Sequence, residues 1–431
     1  METKKQNFAV PIFMMILLFG MISFVTNLAA PMGVVLKDQF GVSNFQGLLG
    51  NMANFIAYAV MGIPGGLLLQ RIGYKKTALL AIVIGFVGIG IQYLSGYASE
   101  TSAFTVYLLG AFVAGFSMTL LNTVVNPMLN TLGGGGNKGN QLIQVGGSFN
   151  SVMATFTPAF VGILIGEAAS ARITDVFPVM YIAMGVFATI FVVLAMVKIP
   201  EPGIEHASEP MKNLMGGAMK FSHFVMGAIA IFVYVGVEVG VPGMLNLWLS
   251  DVPTVGKTIA GSVAGTYWFL MLIGRLTGAA LGHKISSKAM LTFASGLGLV
   301  LVILAIFLPT TMQVGLPVLQ RSATGMISFG LANVPVNAML LVLVGLSTSI
   351  MWGGIFNLAV EGLGKYLAAA SGIFMVMVCG GGIVPALQGL LADITKDYLS
   401  SYWLIVASLA YLLYYALIGS KVHKRADGVE A

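Results

Sequence analysis

Stretches of about 20 mostly apolar residues recur from residue 9 to residue 421 with only short polar loops between them, and this recurrence limits the chain to very few folds. A helix needs about 20 apolar residues to cross hydrocarbon. Lipid offers no partner to an unpaired peptide group, so such stretches must be helical. The spacing predicts helices over 9–36, 45–70, 77–97, 103–128, 142–166, 177–198, 221–249, 258–282, 290–308, 336–360, 367–392 and 401–421, and leaves 309–335 as a loop. Only 8% of residues are charged, against about 25% in a typical soluble domain. A soluble fold is thereby excluded, and an all-α membrane protein of twelve spans is expected. The apolar run after Lys4 and Lys5 resembles a leader, but it is too long for one and is read as the first span.

The net charge of +6 follows topology rather than nucleic acid, because the basic residues sit singly or in small groups at the ends of the stretches. Lys37, Arg172, Lys257, Arg321 and Lys396 fall on one side, Arg275 lies inside a stretch, and the remaining Lys and Arg fall on the other side. Positive charge marks the cytoplasmic face, so both termini are expected in the cytoplasm of a bacterial inner-membrane protein. The single cysteine, Cys379, cannot form an internal disulfide, and the four histidines are scattered, so neither a metal site nor a cofactor is expected.

The chain also repeats itself. Asn27 and Pro31 recur as Glu238 and Pro242, Arg71 and Lys75 as Lys284 and Lys288, Asn126 and Gly133 as Asn357 and Gly364, and Pro158, Ala159 and Gly162 as Pro385, Ala386 and Gly389. Four matches in order predict two homologous halves, 1–197 and 221–431, joined by a charged cytoplasmic linker at 198–220. Parallel six-helix repeats are the layout of major facilitator transporters.

Gly66-Leu-Leu-Leu-Gln70-Arg71-Ile-Gly73-Tyr-Lys75-Lys76 resembles the major facilitator superfamily signature G-x-L-x-D-R-x-G-x-R-K, with Gln70 where an aspartate is usual. Asn44-Phe45-Gln46, Asn126-Pro127, Ser148-Phe149-Asn150-Ser151, Gly274-Arg275 and Gly380-Gly381-Gly382-Ile383-Val384 resemble the fucose-galactose-hexose branch, the fucose permease-like sugar porters. The resemblance implies uptake of a neutral sugar by alternating access. It also implies gating roles for Gln70, Arg71, Gly73 and Lys75. The branch's proton-coupling carboxylates fall at positions that hold Ala30 and Asn122 here, so coupling to H+ or Na+ would have to pass through another acid or be absent.

Polar side chains at membrane depth are expensive and are the default functional candidates. Of the fifteen Asp and Glu, Glu238 alone falls near the middle of a stretch. An isolated carboxylate there is costly to keep charged, which makes it a candidate for ion coupling; sugar contact and a structural role are the alternatives. Arg275 is read as a gating residue, as a partner of Glu238, or as a residue snorkelling toward the cytoplasm beside His283 and Lys284. Asn27, Asn54, Asn122, Asn126, Asn150 and Asn357 supply amides that both donate to and accept from hydroxyls, and Asn122 and Asn126 share a helical face. Their competing reading is helix-to-helix glue. Trp268 and Trp352 lie inside stretches and could stack on the C–H face of a pyranose, or simply pack. The Gly133–Gly136 and Gly380–Gly382 runs read as close helix packing and bending, since no P-loop lysine follows them.

Three classes of function bear on such a chain. Sugar transport, cation-coupled or uniport, by a monomer surrounded by membrane lipid fits the amides and the resemblance. Efflux of a drug or metabolite by the same fold would favour a Gly-Pro motif where this chain has Thr157-Pro158. An intramembrane enzyme or receptor finds no nucleophile, metal cluster or tail.

Overall fold

A computed structural model describes residues 8–40, 44–165, 172–201, 211–321 and 327–423. Its helices are α1 (Ala9–Phe40), α2 (Asn44–Leu94), α3 (Glu100–Leu132), α4 (Gly136–Ile165), α5 (Phe177–Met196), α6 (Met211–Ala218), α7 (Ser222–Ser250), α8 (Gly256–Leu281), α9 (Ser287–Phe307), α10 (Val336–Thr348), α11 (Met351–Val360), α12 (Leu367–Met377), α13 (Gly380–Thr395) and α14 (Trp403–Tyr414). Each of the twelve expected stretches falls on helix. Among the described residues, ten helical stretches are long and apolar enough to cross a membrane. One of them, Met52–Tyr97, runs for 46 residues and covers two expected helices. α4, whose first half carries Asn140, Gln141, Gln144, Ser148 and Asn150, is not among the ten.

Helix breaks occur where the backbone has a local reason. Within α2, Gly73 adopts φ 83 and ψ 175, a conformation essentially reserved for glycine, and so separates the expected 45–70 and 77–97 helices. The expected 336–360 helix is interrupted at Ser349 and Ile350, where the Ser349 hydroxyl donates to the Leu346 carbonyl at 2.5 Å. Side-chain bonding of this kind competes with the helical ladder. In the Gly133–Gly136 run the close-packing expectation holds only at Gly133, where an added Cβ would lie 2.7 Å from the Gly139 Cα of α4. Gly134, Gly135 and Gly136 have φ of 77, 69 and 52 and turn the chain between α3 and α4 rather than packing helices. The expectation does describe Gly380, where an added Cβ would run into the Phe232 backbone of α7.

Helix alone is also corrected. Residues 309–335, read as a loop, contain an antiparallel hairpin of β1 (Gln313–Arg321) and β2 (Ile327–Pro335), with Val318 opposite Gly330 and Leu316 opposite Ala332. The chain forms two compact units, Met1–Ala218 with Leu363–Val376, and Met219–Gly362 with Met377–Ala431. In the first unit, α2 and α3 approach closely because Gly88 and Gly110 leave no room for a side chain: a Cβ on Gly88 would lie 2.6 Å from the Ala114 nitrogen. Close backbone approach of this sort substitutes in lipid for the hydrophobic drive available in water. In the second unit α7 packs against α8, α11, α13 and α14.

Candidate functional site

The second unit brings the two intramembrane charges together. The Arg275 guanidinium donates to the Glu238 Oε1 at 3.0 Å, and the two side chains are 11% and 15% exposed. The expectation of an isolated carboxylate is therefore wrong, and so is a snorkelling arginine. The cause is helix direction. Side chains lean toward the N-terminus of their own helix, so on antiparallel neighbours α7 and α8 Glu238 leans one way, Arg275 leans the other, and they meet. Arg275 also reaches the Ser349 carbonyl at 3.4 Å, across the α10–α11 break. A residue at a helix interruption is a natural acceptor, because part of its ladder is lost.

Two tyrosines that sequence reasoning missed complete this surround. Tyr234, one turn before Glu238, is fully buried, and its hydroxyl faces the carboxylate. Tyr267, also buried, shares a hydrogen bond with Thr348 at 2.8 Å and lies within electrostatic reach of the ion pair. Their sequence signal was only the i, i+4 spacing of Tyr234 from Glu238, easily lost among apolar neighbours. Trp352 tilts against Tyr234 with ring centroids 6.2 Å apart, and Trp268 stands edge-on to Tyr267 at 5.4 Å. Glu238, Arg275 and Trp352 thus share one surround, and Trp268 borders it through Tyr267.

The first unit holds the amides. The Asn122 amide donates to the Tyr58 hydroxyl at 2.6 Å, and Asn126 donates to the Asn122 backbone oxygen at 2.9 Å and its side-chain oxygen at 3.3 Å. Asn54 is buried one turn before Tyr58 on α2. The Asn122–Asn126 pairing was legible; Tyr58 was not, being 64 residues distant. Asn150 stands apart and donates to the Phe19 carbonyl at 3.0 Å, tying α4 to α1. Asn27 lies outside the residues whose side chains are described. Asn357 is corrected in depth: it sits near the end of α11 and donates to the Ser287 hydroxyl, at the first residue of α9, at 2.9 Å.

A double-mutant cycle tests the Tyr58–Asn122 contact. Asn122→Ala and Tyr58→Phe each strand a buried polar group, at a cost of about 1–3 kcal/mol. The pair is expected to cost about 0.5–3 kcal/mol less than the sum in thermal unfolding. Additive losses would mean the bond is absent.

The signature loop has an unexpected partner. The Glu201 carboxylate accepts the Tyr74 and Lys75 backbone N–H groups at 2.5 and 3.1 Å, and Lys75 Nζ donates to the Ala195 carbonyl at 2.8 Å. Glu201 thus occupies the N-terminus of the helix that restarts after Gly73, where a negative charge is favoured. Gln70 replaces the usual acid of the loop, and Glu201 supplies one from 127 residues away. Arg71 is exposed. Among the described residues no cluster of His, Cys, Asp or Glu could hold a metal ion.

The family model of the Major Facilitator Superfamily matches residues 12–386. The glucose/galactose transporter of Brucella abortus biovar 1 (strain 9-941) is 30% identical over 436 residues, covering 97% of this chain and 97% of that protein. A crystal structure of the E. coli fucose:proton symporter superposes with a TM-score of 0.79 at 18% identity, covering 97% of this chain and 100% of that one. The proton:xylose symporter bound to 6-bromo-6-deoxy-D-glucose gives 0.69 at 13% identity, covering 95% and 96%. These two are likenesses of fold. The chain belongs to the Major Facilitator Superfamily, in the fucose permease-like branch whose residues it resembles.

Proposed function

We propose that this chain is a twelve-pass transporter that takes up a neutral hexose by alternating access, coupled to protons through Glu238. The observation that carries the sugar reading is the Tyr58–Asn122–Asn126 chain of uncharged donors and acceptors, held by α2 and α3. Such groups pair equally well with hydroxyls that both give and accept hydrogen bonds, and they carry no counter-charge for a charged solute. The Brucella abortus relative, a glucose/galactose transporter, supports the hexose. In this reading the two sequence halves carry six spans each, 198–220 links them, both termini are cytoplasmic, and the membrane is the bacterial inner membrane.

Coupling is assigned to a proton rather than Na+ on electrostatic grounds. A sodium ion at Glu238 would have to sit beside a guanidinium 3.0 Å from the same carboxylate. A proton needs no such neighbour: it neutralises the carboxylate, weakens the ion pair and leaves Arg275 free to bond elsewhere. A ligand shifts a conformational equilibrium only as far as it distinguishes the two states. Making or releasing this pair is such a distinction. Asn54, Asn122, Asn126, Trp268 and Trp352 are proposed as substrate-binding residues, and Gln70, Arg71, Gly73 and Lys75 as gating residues.

The test is transport in proteoliposomes. Glu238→Gln keeps an acceptor for Arg275 but cannot take up a proton. It should retain exchange of labelled glucose or galactose across the membrane while losing accumulation driven by a pH gradient. Accumulation at the wild-type level would overturn coupling through Glu238. Failure of the wild-type protein to exchange any hexose would overturn the substrate.

A further inference from the structure

The hairpin between α9 and α10 lies where a loop was expected, and its two faces differ. Leu316, Val318, Ala332 and Val334 are buried, while on the opposite face Phe329 is 61% and Leu331 76% exposed, beside exposed Pro317. Both strands pack on α10, and β1 packs on α8. The Phe329 ring meets the Phe269 ring of α8 edge to face, with centroids 5.6 Å apart.

That contact fixes how deep the hairpin reaches. Phe269 is 13 residues beyond the first residue of α8, about 20 Å along the helix at 1.5 Å per residue. Phe329 is seven residues before the first residue of α10, about 23 Å of strand at 3.3 Å per residue. The lengths match when the hairpin runs back along α8 toward the middle of the span instead of standing clear of the membrane. A two-stranded sheet leaves the outer N–H and C=O groups of both strands unpaired, and open sheet edges are not tolerated against lipid. At that depth such edges exist only where they are covered by protein or line water.

We infer that the hairpin forms one wall of a water-filled access path beside α8, and that Phe329 and Leu331, with Phe269, line it for the ring of a neutral sugar. This rests on the proposed uptake of a hexose. The chemistry suits that cargo. A pyranose sets its apolar C–H face against aromatic and aliphatic side chains while its hydroxyls stay in water. A carboxylate or phosphate would lose hydration against Phe329, Leu331 and Phe269, none of which carries a donor to replace it.

The test uses the chain's single cysteine. In a Cys379→Ser background, Phe329→Cys, Leu331→Cys and, as a bulk-water reference above the span, Thr310→Cys are labelled in intact membranes with a charged, membrane-impermeant maleimide and with a lipid-soluble one. All three are expected to react with the impermeant reagent. With D-glucose or D-galactose at about ten times its Kd, labelling at 329 or 331 should fall about tenfold by mass action, with 310 unchanged. Labelled Leu331→Cys should also lose most of its uptake. Reaction at 329 and 331 with the lipid-soluble reagent alone would place the hairpin against lipid and overturn the inference. Impermeant labelling that neither slows with sugar nor reduces uptake would overturn its role in access. If Phe329→Cys fails to accumulate, the exposed Leu331 carries both readouts. A parent protein that transports no hexose yet labels from water at 329 or 331 would refute the sugar reading and leave the water-lined wall standing.

Discussion

Arg275→Ala is expected to abolish the proposed sugar transport and to lower the unfolding temperature of the purified protein, whereas replacing Glu238 and Arg275 together with methionine is expected to restore the temperature and not the transport. The two side chains are 15% and 11% exposed and 3.0 Å apart, so removing the cation strands a carboxylate with little access to water. Breaking a buried pair in this way costs about 3–5 kcal/mol, while exchanging both charges for apolar side chains of similar volume is neutral or stabilising. The contrast separates function from stability: a pair kept only for structure would tolerate the double exchange in both assays. Thermal unfolding in detergent and counterflow in proteoliposomes read the two quantities independently. An Arg275→Ala protein with unchanged unfolding temperature would mean that the charge finds water, and the pair would then be a weak surface contact.

Gly73→Ala is the second large effect expected, with loss of folded protein on extraction or a destabilisation of at least about 1–3 kcal/mol, the usual cost of a non-glycine residue in this backbone region. Its φ of 83 and ψ of 175 are closed to L side chains, and a Cβ would stand 2.6 Å from the Glu201 Oε2. The two causes can be told apart. Glu201→Ala removes the collision but not the backbone strain, so the double variant should remain as impaired as Gly73→Ala. Rescue by Glu201→Ala would assign the whole effect to crowding. Glu201→Gln should be close to wild type, because an amide oxygen still accepts one of the two N–H groups at Tyr74 and Lys75.

Much of the helical framework was legible because lipid leaves a chain so few choices. A run such as 221–249 has to be a helix, and its ends are marked by polar residues within a turn or two. The sequence pattern also carried the Asn122–Asn126 pairing, since i, i+4 spacing is a property of one helix. What it could not carry were contacts between helices. Glu238 and Arg275 are 37 residues apart, and only the lean of side chains on opposed helices makes them partners. Glu201 follows the last apolar residues of its stretch like any solvated charge, and its two backbone partners lie 127 and 126 residues away. The hairpin was missed for another reason: Gly315 and Pro317 interrupt β1, and they masked the period-two burial of Leu316 and Val318. Asn357 misled because it was grouped with the mid-span amides, although it lies three residues before Val360, the last residue of α11.

The Gly73 break also bears on how the chain enters its membrane. An unbroken helix of 51 residues would be about 76 Å long at 1.5 Å per residue, far more than the roughly 30 Å of hydrocarbon available to it. Reversing direction at one residue lets the two arms of α2 leave the insertion machinery as a closed helical hairpin. In the proposed topology, with both termini cytoplasmic, Arg71, Lys75 and Lys76 stay behind at the bend on the side where translation takes place. Glu201 is synthesised more than a hundred residues later, so the bend must first hold without its carboxylate. Glycine at position 73 is therefore needed at the ribosome before the acid is needed in the finished protein.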